Sequence, residues 1–586
     1  MKKNILSFFL YFFFYYLCGL KSIIKYLTNM NYLLIKSKKT LALVILMLLC
    51  LNVDAQTDGL EIRLPDGVFV VVNHPGELKS KIPEKMVQAI RKMKVRGELS
   101  NDDLGFLRSL AARSSVRDTT GNRLDPFFDL DLSEATIPVR GLLGRSDGSY
   151  IPERFLNNCS LLRTIILPAN TQRVGDHAFS DCQNLVEVQM PSSVNNLGSY
   201  AFKGCRSLMD VEFSKSLNTI GTSCFEDCKK LQRVLLPDAL GNISSTAFKN
   251  TGITKIHIPA NVKHIGPEAF NGTAIEFIDI PDGMQNIDAR AFEGCRNLKD
   301  ISVSPQNKYY SKIGDVLVNK QKTVLVRVPV ITAGVYKIPE GITAIGNCAF
   351  SACDKITEVQ CPKTLTKIGE GAFVNCGNLL KIELPATLQS IGRVAFQETG
   401  LRSIDLSSVK ELGEAVFFHC EQLSEVKLSP MLEKIPTCMF EGCKSLVNIE
   451  LPKNLKSVDP AAFKDCESLE AVEFPQTVQN VGKEAFNECT ALKIVKLSPL
   501  STFGDECFRD CKSLETFEFP QSVTTIGHKM LYGCKNLKTV TVFWPTPPKT
   551  KNLANTKATI LRVPSGSEDL YKKDKGWKKF KHIEGF

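Results

Sequence analysis

The sequence predicts a β-rich solenoid, in which short coils of about 23 residues, each carrying a short parallel strand, pile up along one axis. Three observations predict it: a fixed beat, a strand word inside every beat, and a unit too small to fold alone. The beat is counted from the Cys that precedes a Leu by three. Cys159, Cys182, Cys205, Cys228, Thr251, Thr273 and Cys295 follow one another by 22 or 23 residues. After one interval of 58 residues come Cys353, Cys376, Thr399, Cys420, Cys443, Cys466, Cys489, Cys511 and Cys534, spaced by 21 to 23. Periods of this length mark repeat architectures.

Each unit reads C-x-x-L-x-x-I-x-L-P-x-x-V-x-x-I-G-x-x-A-F-x-x. In L-x-x-I-x-L the second half alternates, as a strand with one buried face does. Pro then ends it, from Pro168 to Pro520, because Pro has no N–H for a ladder. The Gly of I-G (Gly175, Gly198, Gly221 and later copies) suggests a turn with an unusual backbone angle. The single Phe per unit, Phe179 through Phe508, is expected to stack as a buried ladder. One unit cannot bury its own apolar residues, and stacking copies buries them against each other. Strands ~4.8 Å apart would carry about fifteen turns through an arc of roughly 70 Å.

The 58-residue interval holds one unit plus an insertion, expected as a β-hairpin at about 305–337 from NKYYSKIGDVLVNKQKTVLVRVP, Asn307 to Pro329. Residues 1–55 read as a leader. Lys36, Lys38 and Lys39 precede the apolar run Leu41–Leu51, and Val53-Asp54-Ala55 offers small residues for cleavage before Gln56. The signal peptide is thus expected at 30–55, with Cys50 poorly placed for lipidation. The apolar run Ile5–Leu20 is either an extra N-terminal anchor, or surplus if translation begins at Met30, and the second is preferred. Residues 56–150 form an opening module, 151–543 the array, and 544–586 a closing module. A solenoid exposes apolar end faces and unpaired edges, so both modules are expected to cap it. In the opening one, Ser100-Asn101-Asp102-Asp103 before LGFLRSLAA reads as an N-capped helix.

Net charge is +11 over 586 residues, but it sits at the ends. Residues 1–55 carry seven Lys and one acid, and 535–586 twelve Lys or Arg against four acids, which leaves the middle at about −3. A nucleic-acid binder would be basic along its body, so nucleic acid is not expected as a partner.

With its L-x-x-I-x-L-P, I-G-x-x-A-F and C-x-x-L words, the unit resembles the BspA-like, or Treponema-type, leucine-rich repeats of surface and secreted proteins of the Bacteroidetes kind. The insertion resembles a family element with the words N-x-x-Y, D-G-V-L and N-K, although Gly314-Asp315 inverts the usual order. VRGELSNDDLGFLRSLAA (Val95 to Ala112), FDLDLSEATI (Phe128 to Ile137) and the tail from Thr546 to Ile583 resemble the end modules of the same proteins. The resemblance implies a right-handed array with an N-terminal α/β cap and a C-terminal cap. It implies an exported protein, on the cell surface or secreted and with the periplasm as a third location. Such a protein binds protein or glycan on host, matrix or neighbouring cells, and no shared active site, cofactor or metal is implied. A self-associating envelope component is the alternative.

The chemistry-bearing residues fit that reading. Eighteen Cys follow the leader, thirteen of them anchors, and they are expected as small buried thiols because Thr251, Thr273 and Thr399 replace them without disturbing the beat. Cys224 with Cys228, and Cys507 with Cys511, are the pairs placed for a local disulfide. No C-x-x-C occurs, and His177, His257, His264, His419 and His528 lack zinc-ligand spacing. Gly144-Arg145-Ser146-Asp147-Gly148 matches G-x-S-x-G, the one hint of a hydrolase, but a nucleophile elbow needs a strand before it and a helix after it. A polar turn explains it better, and no catalytic residue is expected. A column beside the buried Ile of each strand, Glu383, Asp405, Lys427, Glu450, Glu473, Lys496 and Glu518, reads either as a solvated face or, as the sharper alternative, as a mildly acidic candidate binding face for an extended basic or polar partner. In LYKKDKGWKKFKH (Leu570 to His582) the aromatics are expected to pack onto the last turn with the Lys solvated, and a polyanion or membrane-surface contact is the sharper alternative.

Overall fold

Three hydrogen-bonded ladders run along the array, two more than the single strand expected in each coil. The computed structural model describes residues 62–64, 67–87, 89–113, 127–137, 140–141, 144–145, 149–554 and 559–586. The expected leader, with the expected cleavage site and Ile5–Leu20, lies outside the described residues. No helix among them is long and apolar enough to cross a membrane.

The first ladder is the expected strand. Arg233–Leu235, Lys255–His257, Phe277–Ile280 and Asp300–Val303 pair in parallel, like positions opposite like: Arg233 with Lys255, Lys255 with Phe277, Phe277 with Asp300. The same register joins Glu358–Gln360 to Lys381–Glu383 and Ala471–Glu473 to Ile494–Lys496. The second ladder is a two-residue strand at the x-I before Gly, such as Asn196–Leu197 between Arg173–Val174 and Thr219–Ile220. Two residues are too short to show a period, so the pattern does not announce them.

The third ladder passes through the A-F segment. His177, Phe179 and Asp181 donate their N–H groups to the carbonyls of Ser199, Ala201 and Lys203 one turn on. His177 and Asp181 have φ of 56° and 59°, and the same two positions are left-handed in turn after turn: Tyr200 and Gly204, Ser223 and Asp227, Thr246 and Asn250. Alternating the backbone hand points every second N–H along the axis. The buried polar groups are thereby satisfied without a regular strand.

The Gly of I-G departs from expectation, since none of the copies has a positive φ. Gly is required there by crowding. A Cβ on Gly221 would stand 2.5 Å from the carbonyl carbon of Gly198, and one on Gly482 2.5 Å from the nitrogen of Pro460. The side chain is missing so that adjacent coils can approach.

Inside, the Phe rows stack as expected. From Phe179 to Phe292 and from Phe350 to Phe508, successive rings lie 4.6–5.8 Å apart with planes within 2–19° of parallel. All are buried. Beside them the anchor thiols form their own row. The Sγ of Cys228 donates to the carbonyl of Phe202 at 3.1 Å, Cys376 to Phe350 at 3.0 Å, and Cys466 to Phe440 at 3.2 Å. Thr keeps the beat with a different bond: the Thr251 hydroxyl donates within its own coil, to the carbonyl of Phe248 at 2.8 Å, where the thiols reach the coil before.

The insertion folds as an antiparallel meander, Tyr310–Ile313, Val316–Asn319 and Val324–Arg327, whose last strand joins the array beside Ala344–Ile345. Gly314 opens the two-residue turn at φ 57° while Asp315 stays negative, the sign pattern of a II′ turn with Gly first. That explains the inverted Gly-Asp. Arg327, 2% exposed, closes the gap in the Phe row by donating to the carbonyls of Cys348 (2.7 Å), Phe292 (3.2 Å) and Ser351 (3.2 Å).

At the N-terminal end, Gly67–Val72, Lys92–Glu98 and Phe128–Thr136 pair in parallel and continue into Leu162–Ile166, the first strand of the array. The helix Asn101–Ala111 has Ser100 as its N-cap, with a capping box completed by Asp103. The buried Asp103 carboxylate also accepts the N–H groups of Gly76 (2.6 Å) and Leu78 (2.9 Å), tying the helix to the loop before it. At the other end, Thr539–Thr541, Ile560–Val563 and His582–Gly585 extend the strand ladder.

Candidate binding face

Each long strand buries its central residue and turns the neighbours outward, giving the exposed–buried–exposed pattern of Lys381–Glu383, Ser403–Asp405 and Glu425–Lys427. Parallel in-register pairing then converts a sequence position into a column on one surface. Glu383, Asp405, Lys427, Glu450, Glu473, Lys496 and Glu518 are all exposed. The pairing places Asp405 beside Lys427 and Glu473 beside Lys496.

These neighbours neutralise one another. Lys427 meets Asp405 at 3.2 Å, Lys496 meets Glu473 at 3.0 Å, and Lys381, from the next column, meets Glu383 at 2.6 Å. Hydrogen bonds from Ser407, aided by Lys427, hold the Asp405 carboxyl below its usual range, and Glu383 raises the Lys381 ammonium. Ion pairs this exposed add little stability, because water and salt screen them. The pairs chiefly fix where charges stand, and they leave Glu450 and Glu518 as the acids of this column outside them.

Two further outward columns lie beside the first, two and three residues before it in each coil, and the single-column reading missed them. They bring exposed apolar side chains onto the same surface: Leu380, Val447 and Ile494 in the later turns, Met209 and Phe277 in the earlier ones. Leu235, from the first column, is 83% exposed and stands opposite His257. The signal was present in the sequence as large apolar residues at outward strand positions.

The remaining chemistry is distributed differently. Every described Cys is free, including Cys224, Cys228, Cys507 and Cys511, and all are buried except the half-buried Cys361 and Cys438. Burial pushes most of these thiols up, to about 12 at Cys159 and Cys353. They stay protonated at neutral pH, which suits a hydrogen-bond donor and disarms a nucleophile. Among the described residues no group of three or more His, Cys, Asp or Glu could hold a metal ion. Gly144–Arg145 pairs antiparallel with Arg140–Gly141, and Ser146 to Gly148 lie outside the described residues. Tyr571, Trp577 and Phe580 in the tail are buried, as expected of aromatics packed onto the last turns.

Comparison with known proteins agrees with the repeat. The family model "BspA type Leucine rich repeat region" matches in six copies over residues 149–276, 263–322, 335–447 and 433–546. Among solved structures, a leucine rich cell surface protein from Faecalibacterium prausnitzii is 24% identical over 61% of this chain and 85% of its own, with a TM-score of 0.40. A leucine-rich repeat protein from Bacteroides ovatus is also 24% identical, over 73% of this chain and 90% of its own, at a TM-score of 0.32. The pneumococcal vaccine antigen PcpA is 16% identical over 90% and 99%, at 0.35. No curated protein matches. With the family model spanning nearly every coil of the array, the chain belongs to the BspA-type leucine-rich repeat family.

Proposed function

We propose that this chain is an exported, non-enzymatic binding protein whose long-strand surface holds a protein or glycan partner at the cell surface or in the medium. One observation carries the reading. Three adjacent columns of outward side chains, in register over parallel strands, mix paired charges with exposed apolar groups such as Leu235, Phe277 and Ile494. A preformed array of this kind loses little conformational freedom on binding, so contacts convert efficiently into affinity. The leader sequence supports export, and the family, with its adhesive surface proteins, supports binding over catalysis. Its partners are sought among host, matrix and neighbouring-cell molecules.

The test captures partners with the immobilised chain and with the Glu450→Lys/Glu473→Lys variant. The variant is expected to bind a basic partner more weakly, with a flatter salt dependence. Equal capture by both would remove the later half of the surface from the proposal. Size-exclusion chromatography over a concentration series decides the self-associating alternative, which requires concentration-dependent growth.

A further inference from the structure

The C-terminal segment combines two patterns that no structural role of the end of the array requires together. From Lys572 to Lys581 the chain reads KKDKGWKKFK, six Lys and one acid in ten residues. Tyr571, Trp577 and Phe580 turn inward at 0%, 0% and 3% exposure. The Tyr571 hydroxyl donates to the carbonyl of Trp544 at 2.9 Å and the Trp577 indole to that of Pro548 at 2.8 Å, so the segment is pinned to the loop that follows the strand Thr539–Thr541. The single acid also turns back, Asp574 accepting the N–H of Gly576 at 2.7 Å. With those inward positions taken, every Lys faces water.

Elsewhere many of the array's lysines meet an acid one turn away, as in Lys299–Glu276, Lys493–Glu470 and Lys538–Glu515. Here Lys572 meets Asp569 at 3.7 Å and Lys579 donates to the Asn552 amide oxygen. Among the described residues, Lys573, Lys575, Lys578 and Lys581 have no ion-pair partner. Positive charge has been gathered and left uncompensated on a segment whose backbone is fixed.

We propose that this segment is a second binding site, which takes a polyanionic glycan bearing sulfate or phosphate groups through Lys573, Lys575, Lys578, Lys579 and Lys581. The buried aromatics choose among polyanions. A membrane-surface site needs apolar side chains to enter the headgroup layer, and a single-strand nucleic-acid site needs aromatic faces for the bases. Trp577, Tyr571 and Phe580 offer neither, and from residue 570 to 581 Leu570 is the one exposed large apolar side chain. A charged polymer held by fixed ammonium groups needs neither.

The experiment measures affinity of the full chain for heparin, a sulfated glycan, against salt. Wild type is compared with the Lys575→Gln/Lys578→Gln/Lys579→Gln/Lys581→Gln variant and with an equal-charge control, Lys363→Gln/Lys367→Gln/Lys434→Gln/Lys456→Gln. Counterion release predicts that the tail variant lowers the slope of log affinity against log salt by roughly three, while the control keeps the wild-type slope. Should the tail variant melt early, single Lys575→Gln and Lys578→Gln variants are each expected to lower the slope by about one. Unchanged binding by the tail variants, or equal loss in the control, overturns the proposal. Tighter binding at matched salt to vesicles of one part phosphatidylserine in four of phosphatidylcholine, or to an oligothymidylate, overturns it in favour of a lipid or nucleic-acid site.

Discussion

Replacing Phe373 by Ala tests the ladder where it is most complete. Its ring is fully buried between Phe350 at 4.6 Å and Phe396 at 5.2 Å. Removing it empties a ring-sized volume that fixed neighbouring coils are unable to fill, which costs about 3–5 kcal/mol. Phe292 supplies an internal comparison, since the row stops there and only Phe270, at 5.8 Å, stacks on it. One aromatic pair contributes about 0.5–1.5 kcal/mol beyond area burial, so Phe292→Ala is expected to lose less than Phe373→Ala by roughly that amount. Urea unfolding followed by far-UV circular dichroism gives both values, with the change in midpoint as the readout. Because coils contact only their neighbours, Phe373→Ala is also expected to broaden the transition as the two halves uncouple. A loss below about 1 kcal/mol at Phe373, or a larger loss at Phe292, would refute the stacked-row account.

Three further outcomes follow. Burial raises the folded thiols, Cys159 and Cys353 to about 12, whereas unfolded thiols ionise from their ordinary value of 9.0. Below that value both states hold the proton and pH has no effect through these groups. Above it only the unfolded state releases the proton, so stability falls by about 1.4 kcal/mol per pH unit for each such thiol. Melting temperature is expected to drop steeply from pH 9 to 10, and a flat profile would contradict the buried row. Arg327→Met strips hydrogen bonds from three buried carbonyls, each worth about 1–3 kcal/mol when left unmade, and thermal melting should show destabilisation larger than for the exposed Arg393→Met. Gly221→Ala puts a methyl 2.5 Å from the preceding coil and is expected to destabilise strongly in urea. Gly377→Ala, where a Cβ meets nothing within 4 Å, is expected to be near neutral.

The beat of Cys, Leu and Phe made the long-strand ladder, the buried Phe row and the place of the insertion legible, because each coil repeats its neighbour's burial. What escaped has physical reasons. The two-residue strands carry no alternation. The left-handed positions before A-F are occupied by His177, Tyr200, Thr246 and even Val394, so residue type gives no sign of them; inter-turn hydrogen bonds impose the angle. The second left-handed position did leave a trace, in the Asp, Asn and Gly at 181, 204, 227 and 250. The I-G glycine was read as a matter of backbone angle when it is a matter of room. The candidate column was legible as outward-facing, but its charge was not: pairing Asp405 with Lys427 and Glu473 with Lys496 depends on register, which only the stacked coils define.

The most direct test counts thiols. The native chain is treated with iodoacetamide at pH 7.5 and analysed by mass spectrometry without reduction, then again after denaturation. Free thiols turned into the coils predict slow modification confined to the half-buried Cys361 and Cys438, with all eighteen described cysteines modified once the chain is unfolded. Rapid labelling of Cys182, Cys228 or Cys466 in the native chain, or sulfurs that stay unlabelled after unfolding because they are paired, would contradict it.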